Sequence, residues 1–349
     1  MVKLLNKLAS ILVALRYVIK IYKKNSSLNK KNVVYFMFWP NSFTDVLNYI
    51  VRGYLVQDVV MLNALMLEGY CVIIMRSRNI TTIPSGSNVV YNMTLCTPMY
   101  RINKRVAQGE SLFNYLSSFQ GLNFYPSPLE ARLWENKEYM HDQFQYNDIP
   151  CPMTWLVRTN GEFDAEGDIR FPVLTKAANS NHSKGIDIHY TKDSLLNAIK
   201  SKSLIYSSVL IQDALDISFD IRVVVVNNEI VYHYWRYKSP EICDKFVTTS
   251  TSNGSKIDTK ELPDNIIKAC VNSAYKLNLS LAAFDVTLYN GKVMFFEVSP
   301  SFILNPIPKQ KRLLGRPYVN YKRRFIQYNM DLIEQFTLIR RLQIKSWKL

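Results

Sequence analysis

The segment from 281 to 301, LAAFDVTLYNGKVMFFEVSPS, constrains the fold of this chain more than any other. It predicts two neighbouring strands joined near an Asn-Gly pair, a dipeptide that strongly favours a hairpin turn. Each strand is apolar apart from one carboxylate, Asp285 in the first and Glu297 in the second. Because an ionised carboxylate is costly to bury alone, each of these side chains is expected to have a partner.

The length of the turn decides whether the two carboxylates meet. A two-residue turn places Asp285 opposite Phe296 and sends Glu297 to the other face of the sheet. A three-residue loop, with Gly291 in the left-handed conformation, instead brings Asp285, Glu297 and Ser299 to one face. Two interpretations follow: the three side chains share a hard cation such as magnesium, or Glu297 pairs with an arginine. The cation site requires a turn with an odd number of residues.

Composition places the chain among globular proteins with room for more than one core. It has 349 residues, of which 48% are hydrophobic and 13% aromatic, enough for roughly two or three core-bearing units. The cysteines are scattered singly, so neither a disulfide framework nor a zinc site is predicted, and a reducing, cytoplasmic location is expected. They are Cys71, Cys96, Cys151, Cys243 and Cys270.

The positive charge is concentrated at the two ends of the chain. Residues 1–31 carry eight Lys or Arg and no acid, and residues 301–349 carry eleven against two acids, so the middle has a net charge of about −2 out of a total of +15. A groove for nucleic acid would run through the body of a domain. No nucleic-acid partner is therefore expected.

The basic ends are also amphipathic. In residues 1–25 apolar side chains recur at helical spacing, and no uncharged stretch is long enough to span a membrane. One interpretation is a peripheral helix on an anionic membrane surface at the cytoplasmic side. The other, which we favour, is packing on the protein's own body or on a sister subunit in a homodimer. The tail from 321 to 347 has the same character and is expected beside the first helix. The recurring residues are Leu4, Leu8, Ile11, Leu12, Leu15, Val18, Ile19 and Tyr22.

The pattern along the chain predicts a basic amphipathic helix in 1–31, an α/β domain in 32–124, a second unit rich in strands in 125–306 and a basic helical extension in 307–349. The α/β domain opens with a strand at 32–39, one or two helices ending at Gly69 and a strand at 70–75. The prolines of 123–128 mark its end. One continuous helix is predicted from Leu129 to Tyr146.

Four basic side chains of the second half occupy places that suit phosphate. Lys137 lies on the helix just described, and Lys176 closes an apolar strand before a polar loop. Each lysine alone is more typical of a solvated surface. Arg222 and Arg236 lie on two strands of a hairpin, where inward-pointing arginines fit a phosphate or carboxylate better than a core. Asp220 either holds Arg222 in place for that role or is simply its salt-bridge partner.

The order of these motifs resembles the ATP-grasp superfamily, and most closely its glutamate-ligase-like branch of carboxylate–amine ligases. The motifs are the helix with Lys137, the strand with Lys176 and its loop NSNHSKG, the break LIQDAL, the triplet DIR, Arg236, FDV and FFEVS. The resemblance covers roughly residues 125–306. It implies an α/β (α+β) class, with an ATP-grasp fold that follows an α/β domain and has basic amphipathic helices at both ends.

The resemblance also implies the roles of individual residues. Two lysines and a flexible loop would hold the phosphates of ATP, a following segment would bind adenine and ribose, two arginines would contact phosphate and the acylphosphate, and three oxygen ligands would hold Mg2+ or Mn2+. The cofactor-binding residues would be Lys137, Lys176, Gly185, Gln212, Asp213, Ala214, Leu215 and Asp216; the catalytic residues Arg222 and Arg236; and the metal ligands Asp285, Glu297 and Ser299.

The activity that the resemblance implies is ATP-dependent amide formation, through an acylphosphate, between a small-molecule or glycan carboxylate and an amine. The basic ends favour work near a membrane or on an anionic acceptor, such as a uronic-acid glycan in polysaccharide biosynthesis. Two departures from the family pattern are a loop with a single glycine, Gly185, and Ser299 where the family has Asn. The alternative function is a nucleotide-binding scaffold at a membrane surface with weak catalysis.

Overall fold

The computed structural model describes residues 2–26, 28, 32–38, 43–51, 54–93, 111–158, 169–178, 186–204, 206, 208–238, 255–302, 312–313, 316–317, 325–347 and 349. Its helices are α1 (Val2–Asn25), α2 (Phe43–Val51), α3 (Tyr54–Leu67), α4 (Ser111–Ser117), α5 (Pro128–Glu135), α6 (Lys137–Tyr146), α7 (Lys192–Ser203), α8 (Asp264–Lys276) and α9 (Phe325–Ser346), with a 3-10 helix at Ser77–Thr82. Its strands are β1 (Val33–Phe38), β2 (Cys71–Arg76), β3 (Asn88–Tyr91), β4 (Asn123–Tyr125), β5 (Thr154–Arg158), β6 (Val173–Ala177), β7 (Asp187–His189), β8 (Ser208–Asp213), β9 (Phe219–Val226), β10 (Glu229–Tyr237), β11 (Lys256–Asp258), β12 (Leu281–Tyr289), β13 (Lys292–Ser299), β14 (Arg312–Leu313) and β15 (Arg316–Pro317).

The chain divides into two compact units. Unit 1 comprises Met1–Pro98, Tyr115–Pro128 and Ser301–Leu349, and unit 2 comprises Met99–Asn114 and Leu129–Pro300. Unit 1 therefore combines an N-terminal α/β segment with the helices from both ends of the chain. Unit 2 contains most of the region that resembles the ATP-grasp superfamily.

Unit 1 is built on a parallel sheet with the strand order β2-β1-β3-β4. The central strand β1 is apolar throughout and buries Val34, Phe36 and Met37. Parallel neighbours need a crossover connection, and α2 and α3 provide it between β1 and β2. The strands and helices predicted between residues 32 and 75 are therefore present, and the region is an α/β unit.

Helices α1, α3 and α9 pack against one another in unit 1. The Tyr17 hydroxyl of α1 donates a 3.4 Å hydrogen bond to Glu334 of α9, so the tail lies beside the first helix as expected. Among the described side chains of α1, those of Ala9, Val13, Ala14, Tyr17 and Ile21 are buried. The helix therefore packs on the protein's own body, as the favoured interpretation predicted. It does so through a face that includes two small alanines, whereas several of the large apolar residues listed above are exposed. In the described part of the chain, no helix has an apolar stretch long enough to cross a membrane.

A buried polar cluster centres on Asp58 of α3. Asp58 accepts a hydrogen bond from the Tyr49 hydroxyl and a 2.6 Å bond from Asn92 Nδ2. Burial raises the pKa of Asp58 to about 6, although both hydrogen bonds and the buried guanidinium of Arg340 act in the opposite direction. Burial likewise lowers the pKa of Arg340 to about 10, against the attraction of Asp58. The two charges therefore stabilise each other, and the hydrogen bonds from Tyr49 and Asn92 further stabilise the Asp58 carboxylate.

Unit 2 contains two antiparallel sheets, one with the order β5-β8-β6-β7 and one with the order β11-β10-β9-β12-β13. The first sheet packs against α7 through Leu195 and Ile199. The second packs one face against α6 and α8, where Phe284 and Phe295 lie in a large apolar core. Because successive residues of a strand point to opposite faces, the other face of the second sheet can carry polar side chains.

The helix predicted from Leu129 to Tyr146 is interrupted at Asn136. This residue has an extended backbone (φ −127°), and its side chain accepts a 3.1 Å hydrogen bond from the Tyr139 amide. An Asn side chain that bonds the backbone in this way starts a new helix instead of continuing the old one. The single-helix prediction is therefore wrong. The break makes Lys137 the first residue of α6, with its amide bonded to the Ala178 carbonyl at 3.0 Å.

The substitution Asp58→Ala is expected to destabilise the protein, because it leaves the buried Tyr49 hydroxyl and Asn92 amide without their acceptor and removes a negative charge that attracts Arg340. We expect the free energy of unfolding to fall by about 2–4 kcal/mol, as it does when buried hydrogen bonds to a charged group are lost. Urea denaturation followed by circular dichroism measures the loss. The matched control is Asp193→Ala at an exposed position of α7, with an expected change below about 1 kcal/mol. Equal losses in the two variants would contradict the role given to Asp58.

Candidate active site

The β12–β13 hairpin is closed by a two-residue turn. Asn290 and Gly291 have φ angles of +49° and +75°, and Tyr289 pairs with Lys292. Two successive residues with positive φ form the turn whose twist matches that of the flanking strands. The prediction of a three-residue loop is therefore wrong.

A bulge in β13 reverses the consequence of this turn. Val286 pairs with Phe295 but Asp285 pairs with Glu297, so Phe296 is an extra residue. Phe295 lies in the apolar core, and without the extra residue Glu297 would point to that same side. With it, Glu297 lies opposite Asp285 on the polar face of the sheet. The two carboxylates meet as expected, but through a bulge and not through an odd-numbered turn.

The Asp285 carboxylate lies between two arginines. Arg222, its direct neighbour on β9, donates from Nε to Oδ1 at 2.5 Å and from Nη2 to Oδ2 at 2.8 Å. Arg236 on β10 adds an ion pair from Nη2 to Oδ1 at 2.8 Å. Burial alone would raise the pKa of Asp285, but the two guanidinium groups hold it below its ordinary value. Asp285 is therefore ionised at neutral pH.

Asp220 pairs with Arg236 and not with Arg222. Arg236 donates from Nε to Asp220 Oδ1 at 2.6 Å and from Nη2 to Oδ2 at 2.5 Å. The strand register places these two residues directly opposite each other, and opposed side chains are closer than neighbours two residues apart on one strand. The predicted pair of Asp220 with Arg222 is therefore wrong. Each arginine is nevertheless held in two-point contact by an aspartate.

Lys137, at the start of α6, reaches the same face of the sheet. Its Nζ donates to Glu297 Oε1 at 3.1 Å. The lysine side chain is only 12% exposed, whereas that of Glu297 is 42% exposed. Lys137 is therefore not a solvated surface residue, and Glu297 is the more accessible of the two carboxylates that face each other.

Lys176 of β6 is buried and donates a hydrogen bond to Gln212 Oε1 on β8. Burial lowers the pKa of Lys176 to about 8; the Glu297 and Asp285 carboxylates oppose this shift and the Lys137 ammonium adds to it. The two lysines and the two carboxylates therefore lie within one electrostatic neighbourhood, although they come from different elements. At pH 7 most molecules carry a protonated Lys176.

His141 is a member of this neighbourhood that the sequence analysis missed. Its Nε2 lies 3.4 Å from Gln212 Nε2, and its buried Nδ1 has no hydrogen-bond partner among the described residues. Burial lowers the pKa of His141 to about 3, and the charges of Lys176 and Lys137 act in the same direction. The imidazole is therefore neutral. Its position four residues after Lys137 on a helix was the available signal, since such residues share a face.

The segment Gln212–Asp216 runs from the first sheet of unit 2 toward the second. Two of its backbone amides donate hydrogen bonds within the protein. The Asp213 amide donates to the Met153 carbonyl at 3.0 Å, and the Ala214 amide donates to the Pro172 carbonyl at 3.2 Å. These bonds fix the path of the chain after β8. The role of the segment in binding adenine stays a prediction.

The other predicted residues are placed as follows. Leu215 is half-buried and Asp216 is exposed. Ser299 pairs with Ala283 across the hairpin, two residues beyond Glu297 and thus on the same face. Gly185 and its loop lie outside the described residues.

The polar face of the second sheet, together with the two lysines, carries four cations and three carboxylates: Lys137, Lys176, Arg222 and Arg236 with Asp220, Asp285 and Glu297. The excess of positive charge, much of it from guanidinium groups held in fixed positions, suits a polyphosphate. No three His, Cys, Asp or Glu side chains of the described residues are grouped as a self-sufficient metal site.

Comparison with solved structures defines the fold. The structure is similar to D-alanine–D-alanine ligase from Bacillus anthracis, with a TM-score of 0.52 and 14% identity over 90% of this chain and 99% of that chain. It is also similar to the same ligase complexed with ATP (TM-score 0.52, 15% identity, 90% and 99%) and to the VanG D-Ala:D-Ser ligase from Enterococcus faecalis (TM-score 0.53, 14% identity, 91% and 100%). The architecture is thus that of the ATP-grasp proteins, as predicted.

The sequence itself matches the model of the RimK-like ATP-grasp domain over residues 135–313, just over half of the chain. The chain therefore belongs to the RimK-like ATP-grasp family. The expected superfamily and fold class are confirmed. No match was found among curated proteins.

The two facing carboxylates are expected to differ in their contribution to stability. Asp285→Asn removes the charge shared by two largely buried arginines, so the free energy of unfolding should fall by about 3–5 kcal/mol. Glu297→Gln removes a half-exposed partner of one lysine and should change it by less than about 1 kcal/mol. Urea denaturation of both variants measures the difference. Equal effects would contradict the central place given to Asp285.

Proposed function

We propose that the protein is an ATP-dependent carboxylate–amine ligase that forms an amide bond and releases ADP and phosphate. One observation carries this proposal: Lys137 and Lys176, from different elements, share an electrostatic neighbourhood with Asp285 and Glu297. Two ammonium groups can bind the phosphates of a nucleoside triphosphate, and two carboxylates can bind its metal ion. This arrangement fits such a ligand better than it fits a purely structural network of ion pairs. Membership of the RimK-like ATP-grasp family supports the same chemistry.

In the first step, an oxygen of the substrate carboxylate attacks the γ-phosphorus of ATP and the bond from that phosphorus to the β-phosphate oxygen breaks. Lys137 and Lys176 would bind the phosphate oxygens and orient them. Arg222 and Arg236, each held by an aspartate, would stabilise the charge that develops on the transferred phosphoryl group. Because these groups are already in position, little reorganisation is needed during the reaction.

In the second step, the amine attacks the acyl carbon of the acylphosphate and phosphate leaves with the bonding electrons. The proton lost by the amine passes to a phosphate oxygen or to solvent. Neither step uses a side-chain nucleophile. The neutral His141 is too weak a base for the proton, because burial and two nearby lysines keep its pKa at about 3.

The residues present fit a bound Mg2+ or Mn2+. Asp285 and Glu297 oppose each other in the strand register, and Ser299 lies on their face. An ionised carboxylate accepts about four hydrogen bonds, and Asp285 receives three from its arginines, which leaves one lone pair of Oδ2 for a metal. Phosphate oxygens would complete the ligand set. The ion would neutralise charge on the β- and γ-phosphates. Ser299, where relatives carry Asn, would be a weaker neutral ligand.

The rest of the nucleotide would lie along the Gln212–Asp216 segment, with adenine against its backbone and the ribose near Asp216. The solved D-alanine–D-alanine ligase complexed with ATP, which has the same fold, supports an ATP-binding role. Gly185 would belong to the loop that covers the phosphates.

For the substrates we propose a small-molecule or glycan carboxylate and an amine. The surplus of basic residues in 1–31 and 301–349 favours an anionic acceptor, such as a uronic-acid glycan in polysaccharide biosynthesis, and work at the inner face of a membrane. Mass spectrometry of a cell extract incubated with the enzyme and ATP identifies the product. A new mass that equals carboxylate plus amine minus water supports the proposal.

The ligase proposal predicts that ADP release depends on both a carboxylate and an amine. Glu297→Gln should slow it at least about 100-fold, since one charged metal ligand is lost. A coupled assay for ADP measures the rate. The matched control is Glu261→Gln at an exposed position, which should leave the rate unchanged. If the wild-type chain binds ATP but gives no ADP above Glu297→Gln with any carboxylate and amine, the scaffold function would replace this one.

Nucleotide affinity is expected to depend on pH through Lys176. The pKa of this lysine is about 8 in the folded protein, so its charge, and the affinity for ATP, should be lost as the pH rises through 8 and retained below it. Above that pH the affinity should fall by up to about tenfold per unit. Lys176→Arg keeps its charge at every accessible pH and should abolish this dependence. Titration calorimetry with ATP from neutral to alkaline pH measures it; a flat wild-type profile would contradict the phosphate role of Lys176.

A further inference from the structure

The outward face of α1 is apolar, which is unusual for the solvent side of a helix. Six large side chains on this face, named the outer stripe, are exposed: Leu8, Leu12, Leu15, Val18, Ile19 and Tyr22. Leu12 and Ile19 are each 60% exposed and Tyr22 is 80% exposed. Isolated exposed apolar residues are ordinary, but a contiguous stripe of them marks an interaction site.

The geometry of the helix separates the outer stripe from the packed face. At about 100° per residue, the stripe covers roughly 120° and is centred opposite the face that packs on α3 and α9. The packed face carries Ala9, Val13 and Tyr17. The outer stripe is therefore not part of the core of unit 1, and nothing in the described part of the chain covers it.

Basic side chains border the outer stripe. Arg16 and Lys23 lie along one edge, Lys7 lies near the other, and all three are exposed. Residues 1–31 contain no Asp or Glu. The helix therefore presents an apolar strip with a purely positive border, which is the pattern of helices that lie in the interface of a bilayer with negatively charged lipids.

We propose that the outer stripe of α1 docks the protein on an anionic lipid bilayer, with the apolar side chains in the acyl boundary and the basic border against the lipid phosphates. The helix lies flat on the surface and does not span it, in keeping with its charged residues. This surface uses none of the residues assigned to ligase chemistry. The proposal therefore deepens the membrane location given under the proposed function, and it can fail without affecting the ligase chemistry.

A second copy of the chain is the competing occupant. The alternation of four- and three-residue steps from Leu8 to Tyr22 is also the spacing of a coiled-coil seam. Such a seam needs opposite charges along its edges, and here self-pairing would bring Arg16 and Lys23 against basic residues of the other copy. Charge complementarity therefore favours the bilayer over the homodimer.

Co-sedimentation of the full-length protein with lipid vesicles tests the proposal. At low salt the wild-type chain should bind phosphatidylcholine vesicles that contain about one third phosphatidylglycerol at least tenfold more tightly than pure phosphatidylcholine vesicles. The double variant Leu12→Gln/Ile19→Gln should lose at least about tenfold in affinity, since two apolar side chains no longer enter the lipid. Arg16→Gln/Lys23→Gln should lose most of the preference for anionic vesicles.

The matched control is Leu129→Gln/Leu204→Gln, which changes two exposed leucines elsewhere in the chain and should bind vesicles like the wild type. Thermal unfolding should be unchanged in Leu12→Gln/Ile19→Gln, because both side chains are exposed. Equal wild-type binding to the two kinds of vesicle would overturn the proposal. Equal vesicle binding by Leu12→Gln/Ile19→Gln and by Leu129→Gln/Leu204→Gln would overturn it as well. So would a wild-type dimer in analytical ultracentrifugation that Leu12→Gln/Ile19→Gln converts to a monomer without any vesicle binding.

Discussion

The polar face of the second sheet depends on the ion pairs that the Asp285 carboxylate forms with both Arg222 and Arg236. Two guanidinium groups that both contact one buried oxygen would repel each other strongly in a poorly solvated region. Asp285 and Asp220 together balance them, each through two-point contacts. The arginines are thereby held in fixed positions on this face of the sheet. Under the proposed function, a phosphoryl group bound there would meet donors that are already in position.

The bulge at Phe296 makes this arrangement compatible with a well-packed core. A strand without it could bury Phe295 or present Glu297 beside Asp285, but not pair both correctly with β12. One extra residue shifts the alternation so that both requirements are met. The break at Asn136 has a similar effect on α6, because it starts the helix at Lys137 and aims that side chain at Glu297.

Much of this could be predicted from the sequence. The apolar strands, the crossover helices and the hairpin that carries Arg222 and Arg236 follow from local patterns. Asp285, Glu297 and the two arginines could be predicted because each interrupts an apolar run, whereas the nucleotide-binding residues followed from the family resemblance. Which aspartate holds which arginine could not be predicted, since that depends on register across three strands. His141 was missed for a related reason: its burial beside Gln212 arises only when α6 packs on the first sheet.

The amino-acid sequence by itself determined the class of fold, the order of the motifs and the identity of the charged groups, because local apolar periodicity and isolated polar residues are readable one segment at a time. Only the tertiary structure decided the pairings. It placed Asp285 against Arg222, Asp220 against Arg236 and Glu297 against Lys137. It also decided which face of α1 packs, since a helix with two apolar faces carries no local signal of which one its neighbours will cover.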